Sequence, residues 1–442
     1  MRLDGVWESM RSALLSAVVI ALVSGSAAAR VEATASVPAR TAKSAFPPVL
    51  GISFRSPPGT LAWFDPLTLK TLRGRKSPLA GHTGNWAFSA DRAVIALGGC
   101  DPPEIRFVNA RTMRVLGDLR LGPYRGCADL LAWLRPDRLL AVSAFGTQPE
   151  VAVVDPVARR VIRRELLPSS PWTSGRTRDE LVFLHGTEGA FAPARLAVVD
   201  PEGVVRVVSI DRVLAGIVVD EESEGPRVRT IQPGLAVDPD GRRAFVVPAS
   251  GPTAEIDLET LAVSYHELER PSLFARFLRW LTPVAQAKGL SEGPVRAARW
   301  LGDGVIAVSG ADHAFVRTAS GEEHDTTTPA GLSLIDTRSW TTRVLEPQAS
   351  GFAVAPGLVV AWNDVGPQDV GRGLRAFGLD GRERWRLHDG DNRYLVPAGP
   401  VGYVYLGETK AEVVDLSTGH VLATIPRGQS WPQLLAAQSS GW

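Results

Sequence analysis

The sequence lacks most of the short motifs that identify enzymes. It contains no phosphate-binding G-x-x-x-x-G-K-[ST] pattern, no zinc-binding H-E-x-x-H pattern and no C-x-x-C pair. Only two of its 442 residues are cysteines, which excludes a dense disulfide framework. These absences remove the sequence signatures of nucleotide hydrolases, zinc proteases and dithiol redox enzymes.

An excess of charge of either sign is also absent. The 48 basic and 47 acidic residues leave a formal net charge of +1. Composition therefore gives no basis for binding to nucleic acid or to an anionic surface. Only five of the basic residues are lysines, an arginine bias typical of GC-rich bacterial genomes. The 43 glycines and 33 prolines favour a chain with many turns between short strands.

The long apolar run of the chain lies near its N-terminus. Residues 13–23 are apolar except for Ser16, with charged residues before them and small residues at 25–29. This order predicts a secretory signal peptide over residues 1–29, and an uncleaved anchor is the alternative. Residues 30–45 have no hydrophobic period and predict a linker. We therefore expect a secreted or periplasmic bacterial protein with no transmembrane segment after cleavage.

One pattern recurs eight times along the rest of the chain. An apolar strand ends at Asp or Asn, the chain turns, and a second apolar strand follows, most clearly at Leu196–Pro201 and Val204–Val208. The marker residues are Asp65, Asn109, Asp155, Asp200, Asp257, Asp336, Asp380 and Asp415. Their intervals are 44, 46, 45, 57, 79, 44 and 35 residues. A repeat of about 40–50 residues is typical of β-propeller blades, each of which is a four-stranded sheet. Asp suits the turn because its carboxylate accepts a backbone N–H two residues further on.

The repeat predicts an all-β fold, an eight-bladed β-propeller over residues 46–438, with seven blades as the alternative. The first blade starts in mid-sheet, because Val49–Phe54 is expected to be its second strand and no first strand precedes it. Trp431–Ala436, at the other end of the chain, is the candidate for the missing strand. If the C-terminal strand completes the first blade, the ring is closed and has no open edge.

Several stretches resemble known propeller repeats. Leu235–Val247 contains a Pro-Asp-Gly hairpin, and Ala254–Leu261 follows with an Asp-containing turn. This pair is similar to the repeat of the YVTN family of bacterial β-propellers. Another group of stretches resembles the quinoprotein-type repeat: Leu379–Trp385, Gly402–Gly407 and Val414–Gly419. The resemblance covers most of residues 49–437 and implies a propeller but no particular activity.

The two cysteines are predicted to form a disulfide. Cys100 ends the second strand of the second repeat, and Cys127 precedes the first strand of the third. In a propeller these positions lie on neighbouring loops of one face, and an exported chain favours the bond. It would close a loop of about 26 residues and contribute on the order of 3 kcal/mol. Two buried free thiols are the alternative. Quinoprotein dehydrogenases hold their cofactor with adjacent cysteines, which these are not, so no cofactor is expected.

The two longest intervals predict insertions. The first, residues 211–231, contains an acidic run at 220–224 and is expected to be a solvated loop. The second, residues 269–294, has apolar residues at helical spacing between Pro271 and Pro283, which predicts an amphipathic helix. We expect this helix to pack on the propeller. The alternative is a docking helix for a partner protein or a membrane surface.

A polar loop in the sixth repeat is the main candidate for a site. Residues 310–326 form the longest loop expected on the face where propellers bind ligands. Its histidines and aspartates include Asp325 and are of the types that hold metal ions, but their spacing matches no zinc pattern, so a mobile polar loop is the favoured alternative. A tryptophan expected in a loop between two blades is a further candidate. The predicted ligand-binding residues are Trp172, Asp312, His313 and His324; no catalytic residue is assigned.

The sequence favours a non-catalytic binding or scaffold protein, a monomer that presents one face to a protein, a peptide or a small ligand. The alternative is an extracytoplasmic hydrolase or oxidoreductase with a site on that face, using a metal near His313 and His324. Propellers host many chemistries, so the fold alone does not choose between the two.

Overall fold

The computed structural model describes residues 46–53, 59–79, 85–122, 126–145, 148–222, 225–268, 291–317, 323–363, 373–388, 395–406, 410–426 and 432–435. The predicted signal peptide, the linker up to residue 45 and residues 269–290 of the predicted helical insertion lie outside these ranges. Within them the chain forms strands and turns and no helix, and so no helix long and apolar enough to span a membrane.

Six separate antiparallel sheets have four strands each. The first three, in sheet order, are β35 (Gln433–Leu435), β1 (Val49–Ser53), β2 (Thr60–Phe64), β3 (Thr71–Pro78); β4 (Trp86–Phe88), β5 (Val94–Gly99), β6 (Glu104–Asn109), β7 (Val115–Arg120); and β8 (Ala128–Arg135), β9 (Arg138–Phe145), β10 (Gln148–Asp155), β11 (Arg160–Leu166). The other three are β18 (Gly234–Val237), β19 (Arg243–Val247), β20 (Thr253–Asp257), β21 (Val263–His266); β27 (Gly351–Ala355), β28 (Leu358–Trp362), β29 (Leu374–Gly378), β30 (Glu383–Leu387); and β31 (Leu395–Ala398), β32 (Val401–Leu406), β33 (Lys410–Asp415), β34 (Val421–Pro426).

The remaining strands form a single sheet of eleven. Its strands are β12 (Pro171–Arg176), β13 (Leu181–His185), β14 (Thr187–Glu188), β15 (Ala192–Val199), β16 (Val205–Glu222), β17 (Gly225–Ile231), β22 (Ser291–Gly302), β23 (Val305–Arg317), β24 (Glu323–Pro329), β25 (Leu332–Asp336) and β26 (Thr341–Glu346). The main path runs β12-β13-β15-β16-β17-β22-β23-β25-β26, while β14 pairs with β16 and β24 with β23.

This sheet corrects the predicted blade count. The structure has six separate four-stranded sheets, neither eight nor seven, because β17 pairs in parallel with β22 and so joins strands of two sequence repeats. The pairing is possible because the predicted loop 211–231 is itself a β-hairpin: β16 continues to Glu222 and pairs with β17. The predicted insertion 269–294 is also shorter at its end, since residues 291–294 belong to β22.

The recurring Asp and Asn residues have the turn role that the sequence predicted. Each of the eight side chains accepts the backbone N–H of the residue two positions further on, as Asp65 does from Leu67 at 3.1 Å. Hydrogen bonds from backbone N–H groups lower the pKa of Asp336, and a hydrogen bond from the Ser417 hydroxyl is the main cause of the lowered pKa of Asp415. The recurrence of Asp and Asn at these eight positions therefore has a structural cause.

Apolar clusters lie between consecutive sheets and hold them together. One cluster, for example, joins Phe107 of the second sheet to Trp133 and Leu139 of the third. Hydrogen bonds to turn carbonyls add to this packing: the indole N–H of Trp63 donates to the Ala110 carbonyl at 2.8 Å. Because each sheet is covered by its neighbours on both sides, the core is a series of thin apolar layers.

The predicted ring closure is confirmed. β35 pairs antiparallel with β1, with Leu434 opposite Gly51. Leu434 is buried in a cluster formed by both ends of the chain, and the hydroxyl of the buried Tyr403 donates to the Pro66 carbonyl at 2.8 Å. The C-terminal strand thus completes the first sheet.

The predicted disulfide is also confirmed. Cys100 and Cys127 are bonded, with their Cα atoms 4.1 Å apart. The two residues also pair as an isolated antiparallel bridge between the second and third sheets. Closing a loop of this length contributes about 3 kcal/mol in the chain-entropy account.

Candidate functional site

Six strands form a second hydrogen-bonded surface, which we call the upper sheet. It consists of β14, residues 216–222 of β16, β17, residues 291–296 of β22, residues 310–317 of β23, and β24. Some of these segments lie in connections between the second and third strands of a four-stranded unit, such as β14 between β13 and β15. Others lie in the connection that follows the outer strand β16. In a propeller both kinds of connection emerge on one face, which we call the upper face; the Asp turns lie on the lower face.

The polar loop predicted over residues 310–326 is largely strand, which corrects that expectation. Val305–Arg317 and Glu323–Pro329 form an antiparallel hairpin in which Asp312 lies opposite Thr328 and His313 opposite Thr327. The consecutive threonines at 326–328 are β-branched and suit an extended backbone. A loop was predicted because the polar residues hid this propensity.

Two glycines allow the strands of the upper sheet to come together. Gly293 has a φ of +114°, and a Cβ there would lie 2.0 Å from the Thr230 carbonyl oxygen. Gly310 has a φ of +150°, and a Cβ there would lie 2.1 Å from the Val295 carbonyl oxygen. Any other residue would clash with backbone atoms, so these glycines permit β17, β22 and β23 to pair.

A buried ion pair fixes β22 to β23. The guanidinium of Arg296 is 7% exposed, and its Nη2 donates to the Asp312 carboxylate at 2.6 Å. Its Nη1 donates to the carbonyls of Val295 and Ala311 at 3.0 and 3.1 Å. Asp312, predicted as a ligand contact, therefore neutralises a buried arginine, and its role in the upper sheet is support.

Replacing Asp312 by Ala is expected to destabilise the protein by about 2 kcal/mol. The change leaves the buried Arg296 charge without its carboxylate, and Asp312 is 28% exposed, so water reduces a penalty of about 3–5 kcal/mol. Denaturant unfolding monitored by tryptophan fluorescence measures the effect. Arg296→Met, combined with Asp312→Ala, is the matched control and should recover most of the loss. Equal stability of Asp312→Ala and the parent would contradict this role.

The backbone register places the two histidines of the hairpin at different positions relative to Asp312. His313 is adjacent to Asp312 on β23, so the two side chains point to opposite faces, and the His313 Nδ1 lies 3.1 Å from the Thr327 hydroxyl. His324 pairs with Val316, four residues and about 13 Å along β23 from Asp312. Within the described ranges, no group of three or more His, Cys, Asp or Glu residues is arranged to hold a metal ion.

Trp172 lies in a strand, which corrects its predicted position in a loop. It belongs to β12, is partly buried and packs against the core between the β12–β16 strands and the sheet β18–β21. A Cβ on Gly186 would lie 2.3 Å from the indole ring. The indole thus rests against Gly186, which directly precedes β14 of the upper sheet.

Sequence reasoning missed two other residues of this face. The Arg229 guanidinium of β17 lies 5.8 Å from the ring centroid of Phe191, within cation–π range. Arg296 was missed as well, because its partner is 16 residues away on another strand. The alternation around Arg296 indicates a strand, but it contains no signal for the ion pair.

A cleft of about 710 Å³ opens on the lower face and is lined by four arginines and six acidic residues. Several of these charges pair with each other: Arg135 lies 2.9 Å from Glu202, and Arg206 2.7 Å from Glu180. Burial raises the pKa of Glu180, and the charge of Arg206 opposes that rise. The charges that line the cleft therefore largely neutralise each other, and these ion pairs connect the sheets that form its walls.

No protein-family model matches the sequence, and no curated protein matches it. Solved structures do. The structure of dihydro-heme d1 dehydrogenase NirN in complex with DHE has 12% sequence identity and a TM-score of 0.52, covering 90% of this chain and 77% of that chain. The chain has a β-propeller fold.

Two further matches are weaker. BamB from Moraxella catarrhalis has 10% identity and a TM-score of 0.35, covering 83% of this chain and 82% of that chain. The computationally designed Ika8 protein has 14% identity and a TM-score of 0.44, covering 80% of this chain and 91% of that chain. At such identities a likeness concerns the fold alone, so function has to be argued from this chain's own residues.

Proposed function

We propose that the protein is a non-catalytic binding protein whose upper sheet takes up an extended segment of a partner protein along the outer edge of β24. One observation carries this proposal. β24 pairs with β23 on one side, and no strand covers its other edge within the described residues. An open edge presents backbone N–H and C=O groups that template an added strand.

The residue types in β24 suit an edge strand that can pair with a partner and is still protected from aggregation. Thr326 and Thr328 are exposed, so short polar side chains flank the edge. Pro329 ends the strand and limits further pairing, a device that protects natural edge strands from aggregation. The Arg296–Asp312 pair holds the neighbouring strands rigid, and a rigid edge reduces the entropy cost of adding a strand.

Two proline substitutions test the proposal, because consecutive N–H groups of a strand point to opposite sides. Of Thr327→Pro and Thr328→Pro, one removes a hydrogen bond to β23 and the other removes a donor on the open edge. The probe is a peptide selected from a phage-displayed library on the parent protein. The variant that melts like the parent is the one that has lost the donor on the open edge, and calorimetry should show that it binds the peptide at least tenfold more weakly than the parent does. The less stable variant, which has lost a hydrogen bond to β23, is the control. Parental affinity in both variants, or no enriched peptide, would refute the proposal.

The residues predicted as ligand contacts belong to this proposal. His313 and His324 lie on the two strands of the edge hairpin, and Trp172 supports the start of β14 at the opposite end of the upper sheet. Asp312 acts through Arg296. A bound segment along β24 would contact the hairpin first, so His313→Ala is expected to weaken peptide binding more than Trp172→Phe.

We further infer a monomeric propeller of the YVTN or quinoprotein-like type that works outside the cytoplasm. Support for the location comes from the disulfide, since such bonds persist in oxidising compartments.

A further inference from the structure

The cleft on the lower face is formed where connections of neighbouring four-stranded units meet. Its walls include the end of β8 at Arg135 and the connections over residues 177–180, 200–202 and 239–242. Its volume of about 710 Å³ lies within the range of about 300–1,000 Å³ that is typical of small-molecule sites. Ten of its fourteen lining residues are charged, so a ligand that fits this cleft has to be charged as well.

Ion pairs within the cleft occupy three of its four guanidinium groups. The pairs are Arg135 with Glu202, Arg206 with Glu180, and Arg242 with Glu259. A fourth carboxylate, that of Asp179, lies 3.9 Å from Arg135 and shares its charge. Among the described residues, the remaining charged side chains of the lining have no ion-pair partner: Arg178, Asp200 and Asp240. The cleft therefore contains one guanidinium and two carboxylates that its own lining does not neutralise.

The turns that present Arg178 and Asp240 are adjacent and well fixed. The backbone N–H of Arg178 donates to the Pro239 carbonyl at 3.0 Å, which joins the two turns directly. The hydroxyl of the buried Thr177 accepts two backbone N–H groups of the first turn, at 3.3 and 3.0 Å. In the second turn, the Asp238 carboxylate accepts the N–H of Asp240 at 3.2 Å. A fixed pair of turns reduces the entropy cost of binding a ligand between them.

We propose that the cleft binds a basic amino acid, a small zwitterion with one carboxylate and two cationic groups. The unpaired charges of the lining are its complement, because Arg178 suits the carboxylate and Asp200 and Asp240 suit the two cationic groups. A guanidinium binds a carboxylate with two parallel N–H···O bonds. Asp200 uses Oδ1 for two backbone N–H groups of its turn, which leaves Oδ2 for the ligand.

The whole lining favours a ligand of net positive charge. Six acidic and four basic side chains give the cleft an excess of two negative charges, which attracts a basic amino acid and repels an acidic one. The side chains of Glu180 and Arg206 are only 24% and 31% exposed, so part of the cleft is withdrawn from water and charge pairs there are stronger. The site lies on the opposite face from β24 and does not depend on partner binding there.

Calorimetry on the full chain tests the proposal with lysine and two probes that lack part of its charge pattern. Cadaverine has the two ammonium groups without the carboxylate, and leucine has the carboxylate with one ammonium group. The parent should bind lysine about tenfold more tightly than either probe. Arg178→Gln should weaken lysine binding about fivefold and leave cadaverine binding unchanged or stronger, because it removes a repulsive charge. Asp240→Ala should weaken the binding of both.

Asp137→Ala is the matched control, since Asp137 lies in another turn of the lower face, is 61% exposed and does not line the cleft. Arg178→Gln and Asp240→Ala should melt like the parent, because both side chains are exposed and neither is in an ion pair. Absence of lysine binding at millimolar concentration would overturn the proposal, as would equal losses in Asp137→Ala and Asp240→Ala. Equal affinities for lysine and cadaverine, both unaffected by Arg178→Gln, would also overturn it, because the carboxylate would then have no role.

Discussion

Deletion of residues 428–442 is expected to abolish cooperative unfolding. The deletion removes β35, so Leu50, Gly51 and Ile52 of β1 lose the strand with which they pair. It also removes Leu434, which is 7% exposed in the cluster that joins both ends of the chain. Loss of a buried leucine alone costs about 2–5 kcal/mol, and the opened sheet exposes the first and last layers of the core to water. Circular dichroism and calorimetry on heating should show a broad, weak transition in place of a sharp one.

Deletion of residues 437–442 is the matched control, because it shortens the same terminus and keeps β35. This variant should melt like the parent. Leu434→Ala should be intermediate, with a single transition shifted to lower temperature by a loss of about 3 kcal/mol. If the protein without residues 428–442 unfolds in the same sharp transition as the parent, the C-terminal strand does not hold the ring closed.

Acidification from pH 7 to pH 4 is expected to cost about 3 kcal/mol through His185 alone. This side chain is fully buried in β13, with its Nδ1 3.3 Å from the Ser169 hydroxyl and no hydrogen-bond partner for its Nε2. Burial is the main cause that lowers its pKa from 6.5 to about 4, and the charge of Arg195 acts in the same direction. Between pH 6.5 and pH 4, His185 is therefore protonated in the unfolded chain and neutral in the folded protein. The free energy of unfolding is at its full value above pH 6.5 and decreases as the pH falls towards 4.

The comparison with His185→Gln isolates this effect. Glutamine does not titrate, so the difference in unfolding free energy between the variant and the parent should change by about 3 kcal/mol between pH 7 and pH 4. Asp336 and Asp415, whose pKa values are lowered in the fold, are present in both proteins, so their effect on stability cancels in this difference. Chemical denaturation at half-unit pH steps gives the curve. Parallel curves for the two proteins would show that His185 is already protonated in the fold.

Local patterns in the sequence were sufficient to predict most of the propeller fold. The Asp turns, the disulfide and the closing strand were all predictable, because each rests on a short-range pattern or on the logic of a closed ring. The predicted number of separate sheets was wrong, because the pairing of Val228 with Ser291 joins positions that no local sequence pattern connects. Residues 211–231 were mistaken for a loop because their acidic tip outweighed the β-branched residues on either side of it.

The candidate sites were much less accessible to sequence reasoning. Asp312 was predicted as a ligand contact, whereas its partner Arg296 became visible only when β22 and β23 were paired.

The sequence by itself determined that this chain is a repeat protein of four-stranded units closed by its own C-terminus, because turn chemistry and alternating hydrophobicity act over a few residues. Only the tertiary structure decided which charges are paired, which strand edge is open, and which histidine is buried. These properties depend on burial and on contacts between residues far apart in the chain, and burial changes the energy of a charge more than any local pattern does.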